Sequence, residues 1–288
     1  MQWIIKYLTS SIGKKQIMGC TGAVLALFIL GHMVGNLQLL NTDPAAAQAS
    51  YNTYSYLLTH FKPFIYTVEI VMICVFVIHV FLAVTLKIEN RKARGSETYE
   101  VDARKGKKTF ASFTMIWSGI FVLGFVISHL YMLKFGTYYY YQNADVAGGI
   151  VVRDMWLTTI MMFSNIAWSV FYVFGMFIVG LHLFHAISSA FQTLGIAHQK
   201  WTPIIEKFGM AYSIVVAGGF LVVATGSAVL SHQPATQALI EQSKDIGRQN
   251  QLEQLQQEQV QKKTSFVIPS SVSGSQVSYM MKQAEGDR

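Results

Sequence analysis

Five histidines stand out among the side chains of this sequence that could do chemistry, because each lies inside a strongly apolar stretch. They are His32, His79, His129, His182 and His185. Ionisable residues in such stretches are costly to bury, so they usually face the interior of a helix bundle and serve a function. Neutral imidazole is a good ligand for iron, copper and zinc. These residues therefore predict a metal or cofactor site built mainly from histidine.

The elements that must position these histidines are long apolar helices. The chain has 288 residues, of which 52% are hydrophobic and only 13% are charged, whereas soluble domains carry about 25% charged residues. This composition excludes a soluble globule, and the apolar surplus must meet lipid. Since a bilayer core takes roughly 20 helical residues, five runs are predicted to be transmembrane helices: 16–40, 64–86, 110–133, 155–187 and 209–231.

Basic residues outside these runs predict the orientation of the bundle. Thirteen Lys and Arg residues lie in the N-terminal segment and in the loops after the second and fourth spans, against Lys62, Lys134 and Arg153 on the other side. Because basic residues accumulate in cytoplasmic loops, the N-terminus is predicted to be cytoplasmic and the C-terminus external. The net charge of +7 is thus a topology signal, and no nucleic-acid partner is expected.

Depth within the spans sorts four of the histidines into two pairs. At 1.5 Å per residue, His32 lies about 12 Å and His129 about 6 Å from the outer ends of their spans. His79 lies about 10 Å and His182 about 8 Å from the inner ends of theirs. Each pair comes from two helices, so its imidazoles can bind the iron of a porphyrin from both sides. A backbone carbonyl one turn earlier can hold Nδ1–H of each ring.

The residue types therefore favour two bis-histidine haems, His32 with His129 and His79 with His182. The alternatives are histidines that only form hydrogen bonds between helices, and a copper or zinc site. His185, one turn after His182, competes with it as a ligand. Three further histidines at or beyond the span ends are expected to be solvated: His60, His198 and His232.

Two other features complete the predicted architecture. Glu69 is the only acid well inside a predicted span, and Cys20 and Cys74 are interpreted as small core residues. From Gln233 the sequence becomes polar, which predicts a domain at 1–232 and a partly disordered external tail at 233–288, with a short helix at 249–261. The predicted fold is all-α: an integral membrane bundle of five transmembrane helices with two haems between them.

Several short motifs carry a resemblance to a known family. The motifs are Ser10-Ser11-Ile12-Gly13-Lys14-Lys15 with Thr21-Gly22, Gly31-His32-Met33-Val34-Gly35-Asn36-Leu37, Asn90-Arg91-Lys92-Ala93-Arg94, and the run from His182 to Gly195. Through them residues 1–232 resemble the single-subunit, five-helix dihaem cytochrome b anchor of succinate:quinone oxidoreductases, that is, of succinate dehydrogenase and its mirror branch, fumarate reductase.

The resemblance implies a role for each histidine and a set of partners. It implies that His32 and His129 bind an outer haem b, that His79 and His182 bind an inner one, and that His182 rather than His185 is the ligand. It also implies a flavoprotein with FAD and an iron–sulfur protein on the cytoplasmic face, where succinate is oxidised. Electrons then pass to a quinone, usually menaquinone, in a bacterial cytoplasmic membrane.

The resemblance leaves the quinone site and the direction of electron flow open. A carboxylate is expected near the outer end for quinone chemistry, and Glu69 is the candidate; the alternative is that Glu69 is a hydrogen-bonding or interfacial residue. Gly180 stands where a fumarate reductase of this type has a glutamate that moves protons, which weakens the quinol:fumarate alternative. The alternative outside the enzymes is a transporter or channel lined by histidine.

Overall fold

The computed structural model describes residues 2–94, 110–142, 151–196, 198–246, 248, 249 and 253. Nearly all of these residues are helical. In chain order the helices are α1 (Gln2–Leu8), α2 (Ser11–Asn36), α3 (Pro44–His60), α4 (Lys62–Arg94), α5 (Phe110–His129), α6 (Met155–Ser164), α7 (Ile166–Thr193), α8 (Thr202–Ser231) and α9 (residues 234–246). A 3-10 turn, Leu37–Leu40, follows α2, and a π-helical turn, Leu130–Lys134, follows α5. Two short antiparallel strands, β1 (Tyr140–Tyr141) and β2 (Val152–Arg153), precede α6.

Within the part of the chain that the structure describes, five segments are long and apolar enough to cross a membrane, so the all-α bundle of five apolar helices is confirmed. They are Ser11–Leu40, Lys62–Ala93, Thr114–Lys134, Ile166–Thr193 and Thr202–Ser231. Large apolar side chains cover their outward surfaces, as Leu27, Phe81 and Phe177 illustrate with about two thirds of each side chain exposed. A surface of this kind is stable against lipid tails and unstable against water.

The fourth predicted span, 155–187, is wrong as a single helix. The chain breaks at Asn165, whose backbone is extended and whose side-chain oxygen accepts hydrogen bonds from the amides of Ala167 and Trp168. An asparagine that caps a helix in this way satisfies two otherwise unpaired donors. Hydropathy does not register the break, because apolar residues stand on both sides of it. The fourth membrane-length helix is therefore α7, and α6 is a separate short helix.

A layer of three helices, α3, α6 and α9, covers one end of the bundle, and we call this layer the cap. Its core contains Leu39, Tyr51, Trp156, Leu157 and Ile240, each less than a tenth exposed. The sequence reading missed α3, although Asp43 followed by Pro44 is a common helix start. In the structure Asp43 accepts hydrogen bonds from the amides of Ala45 and Ala46.

The cap also extends the packed body beyond the predicted boundary at residue 232. Thr236, Ile240 and Ser243 of α9 are all buried, so the start of the predicted tail belongs to the folded domain. The remaining polar tail, and most of the predicted helix at 249–261, lie outside the described residues. So do the basic residues of the 104–108 stretch that helped to predict the orientation.

Helix α7 is the centre of the bundle, packing against α8, α5 and α2, while α4 packs against α2. Contact between α7 and α8 is close at Gly180, where an added Cβ would lie 2.9 Å from the Cβ of Ala217. A glutamate at position 180 would force these two helices apart. By contrast, the backbone of α2 rarely comes close to that of α5 within the described ranges, and the same holds for α4 and α7. The histidines lie in the spaces between these helices.

Candidate functional site

His32 of α2 and His129 of α5 lie together at the end of the bundle nearer the cap, and we call them the cap-side pair. Their ring centroids are 5.8 Å apart and the rings are almost perpendicular, at 88°. A metal ion bonded to one nitrogen of each ring at about 2 Å would hold the ring centres roughly 6 Å apart. The spacing therefore suits one metal atom shared by the two imidazoles.

Aromatic rings surround the cap-side pair. Phe28 stacks on His32 at 5.7 Å between centroids, and Phe125 stacks on His129 at 6.2 Å. Phe220 of α8 also contacts His32, at 5.8 Å. The lining is apolar, as a porphyrin requires, and it keeps water from the imidazoles. The Nδ1 atom of His129 lies 3.2 Å from the hydroxyl of Tyr172 on α7.

His79 of α4 and His182 of α7 form a second pair towards the opposite end, the far-side pair. A hydroxyl on a neighbouring helix holds each ring: Thr21 Oγ1 of α2 lies 3.2 Å from His79 Nδ1. In the same way, Ser118 Oγ of α5 lies 3.0 Å from His182 Nδ1. Because each Nδ1 is engaged, Nε2 is the nitrogen that remains to bind a metal.

These hydroxyl partners are functional residues that sequence reasoning missed. The predicted partner of each Nδ1–H is a backbone carbonyl one turn earlier. In the structure the Nδ1 partners are side chains of other helices: Thr21, Ser118 and Tyr172. The available signal was the dipeptide of hydroxyl residue and glycine, Thr21-Gly22 and Ser118-Gly119, inside two apolar spans. Both dipeptides lie at the depth of the far-side pair.

The donors and the lining around both pairs fit a haem. Each pair supplies two imidazoles from helices that lie apart, and these residues would hold the iron of a bound haem. Among the described residues, no group of three or more His, Cys, Asp and Glu side chains is arranged to hold a metal ion.

The other histidines and the cysteines lie outside the two pairs. His185 is partly buried and lies one turn from His182 on α7. His60, His198 and His232 are exposed. Both cysteines, Cys20 and Cys74, are exposed on the surface of the bundle, so their assignment as core residues is wrong. They lie on the sides of their helices that face outwards.

Glu69, the predicted quinone-site carboxylate, forms an ion pair with Lys134. Lys134 is the last residue of the π-helical turn that directly follows His129. The guanidinium of Arg153 donates hydrogen bonds to the carbonyls of Lys134 and Leu133 at 3.0 and 2.7 Å. It also lies 3.8 Å from the centre of the Tyr138 ring. The side chains of Glu69 and Lys134 are each more than one third exposed. This charged cluster adjoins the cap-side pair.

A buried carboxylate organises the cap. Asp154 is fully buried and accepts hydrogen bonds from Asn52 at 2.9 Å, Gln48 at 2.7 Å and the Leu157 amide at 2.9 Å. Gln48 also donates to Ser243 of α9 at 3.0 Å. Asp154 thus caps α6 and joins all three helices of the cap. Burial raises the pKa of its carboxyl above the ordinary value, against the hydrogen bonds that lower it.

The cap is connected to the cap-side pair through Asn36, one turn after His32. Its side-chain amide donates to the carbonyl of His32 at 2.7 Å and its oxygen accepts from the Tyr51 hydroxyl at 2.9 Å. Burial raises the pKa of Tyr51 to about 12, so this phenol stays a neutral donor. Comparisons with protein-family models, with curated proteins and with solved structures find no match for this chain.

Proposed function

We propose that this chain is the dihaem membrane subunit of a succinate:quinone oxidoreductase. The observation that carries the proposal is the contact between His32 and His129, together with the matching hydroxyl and glycine contacts that hold His79 and His182, on four different membrane-length helices. In this proposal His32 with His129 and His79 with His182 would hold the iron atoms of two b-type haems. Bound haem would supply reversible one-electron transfer.

The protein supplies orientation and exclusion of water. The aromatic rings of Phe28, Phe125 and Phe220 shield the cap-side pair, and hydroxyls on α2 and α5 hold the far-side pair. We propose that the far side faces the cytoplasm, where a flavoprotein with FAD and an iron–sulfur protein dock, and that the cap faces outwards. The distribution of basic residues supports this orientation.

One feature favours electron transfer from succinate to a membrane quinone over electron transfer from quinol to fumarate. The quinone is menaquinone in our proposal. Gly180 lies against Ala217, where the glutamate of a proton-conducting quinol:fumarate reductase would have no room. A proton- or metal-transporting bundle is the alternative outside the enzymes. An optical spectrum distinguishes this alternative, because a transporter lined by histidine does not absorb visible light.

An optical spectrum of the purified protein tests the proposal. We expect reduced-minus-oxidised bands of b-type haem, and succinate-dependent reduction of quinone in membranes that hold the chain with its partner subunits. A purified, folded protein without these bands would contradict the proposal and favour the transporter. Bands together with fumarate reduction faster than succinate oxidation would reverse the proposed direction.

A substitution at Glu69 tests the proposed quinone site. Quinone reduction takes up protons, and an ionisable carboxylate beside a lysine is suited to deliver them. We expect Glu69→Gln to lower succinate:quinone reductase activity about tenfold or more while the haem content stays unchanged. Glu241→Gln is the matched control, because Glu241 is also paired with a lysine, Lys244, but on the exposed surface of α9. Equal rates in the two variants would exclude Glu69 from the site.

A further inference from the structure

The two histidines of the far-side pair are held by the same contacts, made by unrelated parts of the chain. In each case a hydroxyl residue approaches Nδ1 and the glycine that follows it lies against Cε1. An added Cβ at Gly22 would lie 3.2 Å from Cε1 of His79, and one at Gly119 would lie 3.5 Å from Cε1 of His182. The first distance is tighter than an ordinary contact, so the ring of His79 depends on a glycine at position 22.

The hydrogen-bond network fixes which partner donates at His79. The Thr21 hydroxyl has one proton, and it lies 2.9 Å from the carbonyl of Ile17 and 3.0 Å from that of Met18. Carbonyls only accept, so the hydroxyl proton is committed to the backbone and its oxygen is free to accept.

The same argument holds at His182. The Ser118 hydroxyl donates to the carbonyl of Met115 at 3.0 Å, so its oxygen accepts from His182 Nδ1 at 3.0 Å. Both contacts favour the tautomer in which the far-side histidine carries its proton on Nδ1. In that tautomer the lone pair of Nε2 is left unprotonated, which is the form that binds a metal. The phenol of Tyr172 at His129 gives no such constraint, because a phenol can either donate or accept.

We propose that Thr21-Gly22 and Ser118-Gly119 are positioning pairs that preset His79 and His182 as Nε2 ligands before any cofactor binds. The hydroxyl selects the tautomer, and the glycine lets the ring lie against the neighbouring helix. The inference rests on the proposed function for the identity of the metal centre. The tautomer itself is a property of the protein chain, and it is measurable without a haem.

Haem binding by purified full-length variants tests the proposal. We expect Thr21→Val, which keeps the shape and removes the hydroxyl, and Ser118→Ala each to weaken haem binding at the far-side pair about 10-fold to 100-fold. The haem that remains there should have a higher midpoint potential and an altered electron paramagnetic resonance signal, because a ligand without its acceptor donates less charge. The signal of the cap-side haem should not change. Thr21→Ser should restore the original values.

Thr225→Val is the matched control. Thr225 makes the same backbone hydrogen bonds, to Leu221 and Val222, but its side chain is exposed on α8. If Thr21→Val and Ser118→Ala behave like this control while two haems remain bound, the positioning pairs are refuted and the proposed function stands.

Nitrogen-15 resonances of histidine in haem-free protein give a second, independent readout. We expect the Nδ1–H tautomer at His79 and His182 in the unaltered chain, and a mixture of tautomers after removal of the hydroxyl. An Nε2–H tautomer in the unaltered chain would overturn the inference. Absence of haem from a protein with the expected tautomers would instead count against the proposed function alone.

Discussion

Replacing both far-side ligands, His79→Ala with His182→Ala, is expected to halve the haem content of the purified protein. Two axial nitrogens hold each haem in our proposal, and alanine supplies none, so the far-side haem is lost outright. The cap-side pair uses different helices for its ligands, α2 and α5 rather than α4 and α7. It should therefore retain its haem. The reciprocal variant, His32→Ala with His129→Ala, should lose the cap-side haem and keep the far-side haem, which should have a different midpoint potential.

His185→Ala is the control for this experiment. His185 is one turn from His182 on the same helix, so the substitution reports the effect of removing a nearby imidazole that is not a ligand in our proposal. Its haem content should equal that of the unaltered protein. Retention of both haems in the far-side double variant would refute the assignment, and loss of one haem in His185→Ala would identify His185 as the ligand.

A third variant separates ligation from folding. His79→Met keeps a side chain that ligates haem iron while changing its spectrum and potential. We expect a shifted far-side signal with nearly full haem content. If the unaltered protein and the His79→Met variant are both folded and helical but bind no haem, this pair does not ligate iron.

Replacing Asp154 with alanine is expected to cause the largest loss of stability among single substitutions in the cap. The change leaves the amides of Gln48, Asn52 and Leu157 without their acceptor in a buried layer. The unpaired donors of Gln48 and Asn52 cost about 1–3 kcal/mol each, and the Leu157 amide, whose bond is the cap of α6, costs about 1 kcal/mol. We expect thermal unfolding of the purified protein to begin roughly 10 °C lower.

Asp43→Ala is the matched control, because Asp43 caps α3 in the same way from an exposed position. It should cost about 1 kcal/mol. If both variants unfold at the same temperature, the buried network contributes nothing beyond a helix cap.

The dependence of stability on pH follows from the same residue. Burial raises the pKa of Asp154 in the folded protein, so the folded state binds this proton more tightly than the unfolded chain does. The stabilisation from the proton is complete below the ordinary aspartate pKa of about 4 and is lost as pH rises through the raised value. Asp154→Asn cannot ionise, so its unfolding temperature should vary less with pH over this range than that of the unaltered protein.

Hydropathy predicted the five membrane-length helices because the exclusion of charge from a bilayer is written locally along the chain. It failed at Asn165, where a single polar side chain ends one helix and starts another between apolar neighbours. It also missed α3, whose apolar content is modest and whose position depends on burial of Tyr51 against Trp156 and Leu157. Such burial involves residues more than a hundred positions apart, which a window along the sequence does not sample.

The residue types along the chain establish which side chains are available for the proposed chemistry. Four imidazoles at two depths follow from helical rise and alternating span direction, both of which are regular and local. The way in which those imidazoles are held depends on the packing of the helices. The hydroxyl at His79 comes from 58 residues away, the one at His182 from 64, and the Gln48–Asp154 bond of the cap joins residues 106 apart. These contacts depend on how the helices rotate and pack against one another, because a hydroxyl on the opposite face of α2 or α5 would be equally compatible with the hydropathy and would leave the histidine without a partner.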